Sequence, residues 1–261
     1  MSRIIDCTLF FNEFRLLTAR LGILRDAVDL FVIAEGDRTF SGEPKPLRLQ
    51  KWVEETVPDL ADRIIVIEVT DFPANPNPWI AEVYQRNAVL RGLRGVSDDD
   101  ILMFFDVDEI PNIDSVLSQL PSGDIAKVSQ EFYYYYLNLH RGKWSLGTAT
   151  YARNMSISPQ EARTLYYLPV IEDGGWHFSY LMSPEKMAEK IGAFSHQEFN
   201  KPDFKDPNTI SDRIAAREDL FGRKSKTPMV TQPFDNRFPE FLVKNKEAYS
   251  DLILDVTETG P

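Results

Sequence analysis

Three carboxylates stand together in the stretch FFDVDEIP, where Asp106, Asp108 and Glu109 follow an apolar run and precede Pro111. Their mutual repulsion destabilises a fold unless a cation or a set of hydrogen-bond donors compensates it. In an extended chain, Asp106 and Asp108 project to the same side, and this spacing suits a hard divalent cation that shares phosphate oxygens and water. The same residues also fit a solvated turn in which an aspartate caps the next helix.

The segments before this motif predict how it is positioned. Strand-like runs alternate four times with helical ones, which is typical of a parallel sheet with helical crossovers; the runs are IIDCTLF, DLFVIAEGD, RIIVIEV and ILMFF. In such sheets, ligands bind at the carboxyl ends of the strands. Those ends carry Glu35, Asp37 and the 106–109 stretch, so we expect acidic side chains along one edge of the sheet.

Beyond about residue 122 the pattern changes to long β-type runs, DIAKVSQEFYYYYLNLH and GGWHFSYLM, before helical stretches return. The length and the 43% hydrophobic content suit a single α/β domain over residues 1–261. We expect its first half, 1–121, to hold a nucleotide at a Rossmann-like, mostly parallel sheet. The second half, 122–261, is expected to be β-rich and helical, to complete the cleft and to bind an acceptor.

Three more side chains are candidates for chemistry. Arg86 falls on the apolar stripe of the helix WIAEVYQRNAVLRGL, and a buried arginine requires an anionic partner, either a sheet-edge carboxylate or a bound diphosphate. His177, in the apolar run GGWHFSYL, is either a hydrogen-bonded core residue or a ligand. Asp173, just before that run, is either a general base or part of a solvated turn.

The run EFYYYYLNLHRGKW combines four consecutive tyrosines with Trp144. Alternate residues of a strand face opposite sides, so one pair of tyrosines can pack in the core while the other lines a cleft. Aromatic rings in a cleft form stacking platforms for sugar rings. The run therefore predicts a carbohydrate-binding surface in addition to a strand.

Composition limits the partners. The chain has 29 basic and 40 acidic residues, a net charge of -11 and a pI near 4.8. Such a field repels nucleic acid, although a nucleotide can bind where a divalent cation and a few arginines neutralise its phosphates. The single cysteine, Cys7, excludes an intramolecular disulfide and suits a reducing compartment. With neither a signal peptide nor a membrane-spanning apolar run, the chain is expected in the cytoplasm.

Several of these segments together resemble the family-17 glycosyltransferases. They are the N-terminal IIDCTLFFNEFRLLTARLGILRDAVDLFVIAEGDRTFSGEPKPL, then WIAEVYQRNAVLRGL, FFDVDEIP and GGWHFSYLMSPEKMAEKIGAFSHQEF, in this order up to about residue 250. The combination of D-x-D-E-I-P with a later G-W-H-x-S carries the resemblance. It implies a GT-A fold, UDP-N-acetylglucosamine as the donor, Mn²⁺ or Mg²⁺ as the cofactor and an inverting transfer to a glycan acceptor.

The resemblance also implies roles for individual residues. Asp106 and Asp108 would link the ribose and the diphosphate of the donor to the metal ion. Arg86 would contact the diphosphate. His177 would be a further ligand of the metal or of the diphosphate.

The remaining roles follow from the same resemblance and from the need for a base. Glu35 and Asp37 would contact the nucleoside. Glu109 and Asp173 are the candidates for the carboxylate that deprotonates the acceptor hydroxyl, and Asp108 is expected to be essential for turnover.

The acceptor and the reaction class leave alternatives. The animal members are membrane-anchored and luminal, whereas this chain is expected in the cytoplasm, where it would not meet an N-glycan. For this chain we therefore expect a surface polysaccharide or a lipid-linked glycan as the acceptor. A metal-dependent phosphohydrolase of the haloacid-dehalogenase type also places D-x-D after an apolar strand, normally the first, where a small residue and Thr follow. A non-catalytic carbohydrate-binding module is the third interpretation, suggested by the tyrosine run.

Overall fold

The computed structural model describes residues 2–75, 77–224 and 228–256. The helices of these ranges, short 3₁₀ turns apart, are α1 Phe14–Leu24, α2 Leu49–Thr56, α3 Pro78–Ala88, α4 Ile113–Gln119, α5 Pro159–Thr164, α6 Pro184–Ala193, α7 Pro202–Lys205, α8 Pro207–Ala215 and α9 Glu240–Lys244. The strands are β1 Ile4–Phe10, β2 Leu30–Gly36, β3 Ile64–Val69, β4 Ile101–Asp106, β5 Glu109–Pro111, β6 Ala126–Val128, β7 Gln130–Tyr134, β8 Leu139–Trp144, β9 Thr148–Tyr151, β10 Val170–Ile171, β11 Gly175–Ser179 and β12 Val230–Thr231.

The larger sheet has seven strands in the order β10-β6-β9-β4-β1-β2-β3. Strands β4, β1, β2 and β3 run parallel, and β9 is antiparallel to both of its neighbours, β4 and β6. This confirms the predicted α/β fold with a mostly parallel sheet. The strands after residue 121 extend the sheet that the first half begins, so both halves of the sequence build one layer.

Both faces of this sheet are covered at its central strands, which explains why these strands are largely apolar. Alternate residues of β2 illustrate the pattern. Phe31 and Ile33 pack in one buried cluster, whereas Val32 and Ala34 pack in another on the opposite face. In the described ranges, no helix combines the length and the apolar character that a membrane crossing needs.

A second sheet of five strands, in the order β12-β8-β7-β11-β5, stands beside the first. The chain passes from one sheet to the other at the acidic motif. Asp106 is the last residue of β4, Val107 and Asp108 form a turn, and Glu109 begins β5. The motif is therefore not an extended strand, and the expectation that Asp106 and Asp108 project to the same side of one is wrong.

The long β-type run predicted over residues 124–140 is three strands in two sheets. Strand β6 belongs to the larger sheet, and β7 and β8 belong to the second. The alternation of the tyrosines ends at Tyr135, whose φ of 67° turns the chain out of β7. Tyr133, Tyr134 and Tyr135 are all buried, so the predicted tyrosine platform does not form.

Gly175 sets the approach of β11 to β5. Its φ is +133°, and a Cβ there would lie 2.1 Å from the carbonyl oxygen of Ile110 and 2.7 Å from the nitrogen of Asn112. Only glycine fits such a contact with neighbouring backbone. The close approach holds the register in which His177 lies opposite Glu109.

Candidate active site

A cleft of about 920 Å³ opens between the two sheets, at the carboxyl ends of β1 and β4. Its walls come from those strand ends, from α3 and α6, and from β7, β8 and β11. Among the described residues, seven arginines and lysines line it, against five aspartates and glutamates. The cleft is thus richer in basic than in acidic side chains, although the chain as a whole carries a net charge of -11.

Two arginines hold the carboxylates at the ends of the 106–109 turn. Asp106 accepts hydrogen bonds from Arg86 and, at 2.6 Å, from Arg163. Glu109 accepts two bonds from Arg163, at 2.8 and 2.9 Å, one from the indole of Trp144 at 2.5 Å and one from the backbone N–H of Asp106 at 2.9 Å. These charge-assisted bonds fix the turn and neutralise the carboxylates of Asp106 and Glu109.

The partner of Arg86 was left open between a carboxylate and a diphosphate. The buried guanidinium pairs with Asp106 and, at 2.7 Å, with Glu82 one turn earlier on α3. The carboxylate interpretation therefore describes the structure. Arg86 also belongs to the cleft lining, and its contact with a diphosphate stays a prediction.

Asp108 is placed differently from its two acidic neighbours. Its Oδ2 lies 3.5 Å from Nε2 of His177 and 4.0 Å from Nζ of Lys190, which in turn donates to Glu13 at 2.7 Å. Burial alone would raise the pKa of Asp108, but His177 and Lys190 outweigh burial and hold that pKa well below its ordinary value. Asp108 therefore stays ionised and faces the cleft.

His177 is held by packing more than by hydrogen bonds. Its ring stacks on Phe132 at 4.7 Å between centroids, with 10° between the planes, and lies 4.6 Å from the Trp144 ring. Nδ1 is buried without a hydrogen-bond partner among the described residues. The ring is thus fixed in place, and Nε2 is the nitrogen that faces Asp108.

The side chains of the cleft fit a metal ion whose coordination is completed by the substrate. In the part of the chain that the structure describes, no three His, Cys, Asp or Glu side chains gather around one point. Asp108 and His177 do form a pair of suitable ligands, and Mg²⁺ and Mn²⁺ commonly take one or two protein ligands with phosphate oxygens and water. Both oxygens of Asp106 are in ion pairs with arginines, and its role as a third ligand of the metal stays a prediction.

The two acidic residues predicted to meet the nucleoside lie outside the cleft lining. Glu35 is buried, and its oxygens accept from Lys45 at 2.9 Å and from the backbone N–H groups of Arg48 and Leu49 at 3.0 and 2.8 Å. Glu35 therefore fastens the loop that follows β2. Asp37 pairs with its neighbour Arg38 at 2.9 Å, and it is Arg38 that lines the cleft.

The candidates for the general base are also corrected. The Asp173 side chain is 85% exposed, lies 3.9 Å from Lys143 and is outside the cleft lining, because a φ of 51° turns the chain away at this residue. Glu109 lies in the cleft, but burial, which would raise its pKa, is outweighed by Arg163, and the pKa falls to about 2. A carboxylate with that pKa and four hydrogen bonds is a weak base at neutral pH.

The comparisons with known proteins decide the family. The sequence model described as glycosyltransferase family 17 matches residues 1–227, which is most of the chain. The chain belongs to glycosyltransferase family 17. The predicted resemblance is thereby confirmed, and so is the prediction that the chain is a glycosyltransferase.

Curated relatives of this family-17 chain share its sequence over a limited stretch. The β-1,4-mannosyl-glycoprotein 4-β-N-acetylglucosaminyltransferases of Rattus norvegicus and Homo sapiens are each 33% identical to it over 122 residues. The Mus musculus enzyme is 32% identical over the same length. The match covers 44% of this chain and only 23% of the length of each relative.

Solved structures resemble the family-17 chain only loosely. A mannosyltransferase from Pyrobaculum calidifontis, PcManGT, in complex with GDP-Man and Mn²⁺, overlaps 76% of this chain and 64% of its own, at 12% identity and a TM-score of 0.40. The inositol-1-phosphate CTP transferase from T. maritima overlaps 66% and 85%, at 10% identity and a TM-score of 0.35. Neither overlap supports an argument about the site of this chain.

Two basic residues of the cleft, Arg163 and Lys190, were not predicted from the sequence. Arg163 lies on the short helix α5, where no apolar stripe marks it as buried. Lys190 did carry a signal, because it stands three residues after Met187 and one before Ile191, both buried on α6. A lysine beside the apolar stripe of a helix requires an anionic partner, which is the argument that made Arg86 a candidate.

Proposed function

We propose that this family-17 chain is a metal-dependent, inverting glycosyltransferase that moves N-acetylglucosamine from UDP-N-acetylglucosamine to a glycan acceptor. The observation that carries the proposal is the pair Asp108 and His177, which faces the cleft. The described lining of this cleft has more basic than acidic side chains, although the chain as a whole is acidic. Membership of glycosyltransferase family 17 gives the reaction class. A GT-A type of fold is part of the same proposal.

The charges of the cleft suit a nucleoside diphosphate. The whole chain repels anions, so a diphosphate binds only where local cations outweigh that field. Asp108 and His177 would hold Mn²⁺ or Mg²⁺, and the ion would supply positive charge that stabilises the diphosphate as it leaves. Lys190 lies 4.0 Å from Asp108 and adds a fixed positive charge beside the same point.

The surrounding residues hold this pair in position. Arg86 and Arg163 fix the turn that carries Asp108. The rings of Phe132 and Trp144 pack on His177 and keep water from its faces. The pair is therefore preorganised, which lowers the cost of organising charge during the transfer.

The acceptor would bind in the part of the cleft that the second sheet provides. We propose a surface polysaccharide or a lipid-linked glycan, as expected from the sequence. Phe132 and Trp144, which are only partly buried, line that part of the cleft, and aromatic rings are good partners for the C–H faces of sugars.

Replacing Asp108 tests this function. Asp108→Ala is expected to lower the turnover of UDP-N-acetylglucosamine by about 10²–10³-fold, the range found when one preorganised electrostatic contact is lost. The measurement is UDP release with Mn²⁺ present, with or without a glycan acceptor. Asp173→Asn is the matched control because its side chain is exposed outside the cleft, and its turnover should stay within about twofold of wild type. Undiminished turnover in Asp108→Ala rules the proposal out.

The two other interpretations of the sequence find no support in the described residues. The D-x-D motif follows the fourth strand along the chain rather than the first, and p-nitrophenyl phosphate should remain intact when incubated with the protein. The main argument for a non-catalytic binding module was the tyrosine run, and three of its four tyrosines are buried.

A further inference from the structure

Two arginines share one carboxylate in the second half of the cleft. The side chain of Asp219 is 1% exposed, and its Oδ2 lies 2.6 Å from Nη2 of Arg141. Its two oxygens also accept from Nε and Nη2 of Arg223, each at 3.0 Å. Asp219 itself is not part of the cleft lining, whereas both arginines are.

This group, which we call the arginine pair, carries an unbalanced charge. Two guanidinium groups face one carboxylate, and within the described ranges no second carboxylate pairs with either of them. Arg141 is largely buried, and a buried guanidinium requires anionic partners. The pair therefore has the capacity to bind one more anion from the cleft.

The arginine pair lies beside the Asp108–His177 pair and is separate from it. The ring of Phe132 touches both, since His177 stacks on it at 4.7 Å and the Arg141 guanidinium carbon lies 5.9 Å from its centroid. Neither arginine of the pair forms an ion pair with a carboxylate of the 106–109 turn in the described structure. The two pairs therefore share one aromatic neighbour but no ion pair among the described residues.

A buried hydroxyl adds a hydrogen-bond donor to this place. The guanidinium of Arg141 lies over the ring of Tyr134, 4.9 Å from its centroid. The Tyr134 hydroxyl is buried without a hydrogen-bond partner among the described residues, although Tyr134 belongs to the cleft lining. Burial holds the pKa of this hydroxyl well above its ordinary value, so it stays protonated.

We infer that Arg141 and Arg223 bind an oxyanion carried by the acceptor, either the phosphate through which a glycan is linked or the carboxylate of an acidic sugar. The inference rests on the proposed transferase function and narrows its acceptor to an anionic class. The donor does not supply this group, because UDP-N-acetylglucosamine has no anionic group besides its diphosphate. Guanidinium forks match both oxyanions with two parallel hydrogen bonds.

Calorimetry on the whole chain, saturated with UDP and Mg²⁺, tests the inference. Three probes of one sugar are titrated: glucose 1-phosphate, glucuronate and methyl glucoside. One of the two anionic probes should bind at least tenfold more tightly than the neutral glycoside, and which one does so identifies the source of the oxyanion. Equal affinity for all three probes overturns the inference.

Two variants locate the binding. Arg141→Met and Arg223→Met should each lower the affinity for the anionic probe by about tenfold, as expected for the loss of a charge-assisted hydrogen bond. Both variants should leave the affinity for UDP within about twofold of wild type. In each variant Asp219 keeps the other arginine, and Arg223, 56% exposed, can change without disturbing a core. The control is Arg237→Met, since Arg237 pairs with Asp235 at 2.9 Å outside the cleft lining and should change neither affinity.

The outcomes separate this inference from the function on which it rests. If the variants lower the affinity for UDP as much as the affinity for the anionic probe, the arginines belong to the donor site. The inference is then overturned, while the transferase account stands. If the wild-type chain fails to bind UDP with Mg²⁺ or Mn²⁺, the proposed function fails first. Normal UDP binding with a selective loss of the anionic probe supports both.

Discussion

The cleft has two walls, the first at the 106–109 turn and the second at Asp219, and they use arginine in different ways. On the first wall, Arg86 and Arg163 are matched by Asp106 and Glu109, with hydrogen bonds that satisfy both carboxylates. On the second wall, two arginines share the single carboxylate of Asp219. An arginine in a cleft is therefore not by itself a sign of a bound anion. The balance with neighbouring carboxylates distinguishes an arginine that holds the fold from one that is available to a ligand.

The largest effect on stability is expected on the balanced wall. Arg163→Met leaves Glu109 buried without its cationic partner, and breaking a buried ion pair from one side typically costs about 3–5 kcal/mol. We expect the free energy of unfolding, measured by urea denaturation, to fall by about that amount. Arg223→Met is the comparison, with an expected loss below about 1 kcal/mol because its guanidinium is mostly exposed. Equal losses in the two variants would contradict the contrast between the walls.

Acid should act on the balanced wall through Glu109. Its pKa is lowered from 4.5 to about 2, so the unfolded chain binds this proton more readily than the folded one. The stabilisation is complete above the unfolded pKa and is lost as the pH falls from about 4.5 to about 2, a loss on the order of 3 kcal/mol. Urea denaturation at a series of pH values between 6 and 2 measures this loss.

The matched variant for this acid effect is Glu109→Gln, which removes the titrating group. Its unfolding free energy should fall less steeply with acid than that of the wild type over the same range. Glu43→Gln, at an exposed position of a loop, serves as the control and should leave the slope nearly unchanged. Identical slopes for Glu109→Gln and wild type would show that the carboxylate is not held as the structure describes.

A smaller effect is expected where the first wall meets β11. Gly175→Ala places a methyl group against the backbone of Ile110, at a φ that L-residues rarely adopt, and such strain costs about 1–3 kcal/mol. The shift of β11 should also move His177 and weaken UDP binding in the presence of Mn²⁺. Gly42→Ala, also at a positive φ but with open space around its Cβ position, separates backbone strain from displacement. Unchanged UDP affinity in Gly175→Ala would indicate that the register of β11 does not set the site.

Much of the fold follows from the sequence because buried parallel strands are continuous apolar runs. The run IIDCTLF is β1 without a residue of difference, and the apolar run before the acidic motif is β4 with one residue added. The division of residues 124–140 between two sheets was missed. The positive φ at Tyr135 that ends β7 leaves no mark in a run of identical tyrosines.

The candidate site could be predicted only in part. The sequence indicated that Asp108 and His177 are candidates, and the structure brings them together. It could not show that Asp106 is neutralised, because one of its partners, Arg163, lies 57 residues further along the chain. Glu35 was misassigned for the same kind of reason, since Lys45 folds back on it over ten residues. Partners this distant depend on packing, and spacing does not encode them.

The central claim is that Asp108 and His177 hold a divalent cation, and that the diphosphate of the donor completes the coordination of this ion. Calorimetric titration of UDP with and without Mn²⁺ tests it most directly. We expect Mn²⁺ to tighten UDP binding by at least about tenfold, and we expect Asp108→Ala and His177→Ala each to remove most of that gain, as the loss of a ligand of the ion should. The same UDP affinity with and without Mn²⁺, or a full Mn²⁺ effect in both variants, would contradict the account.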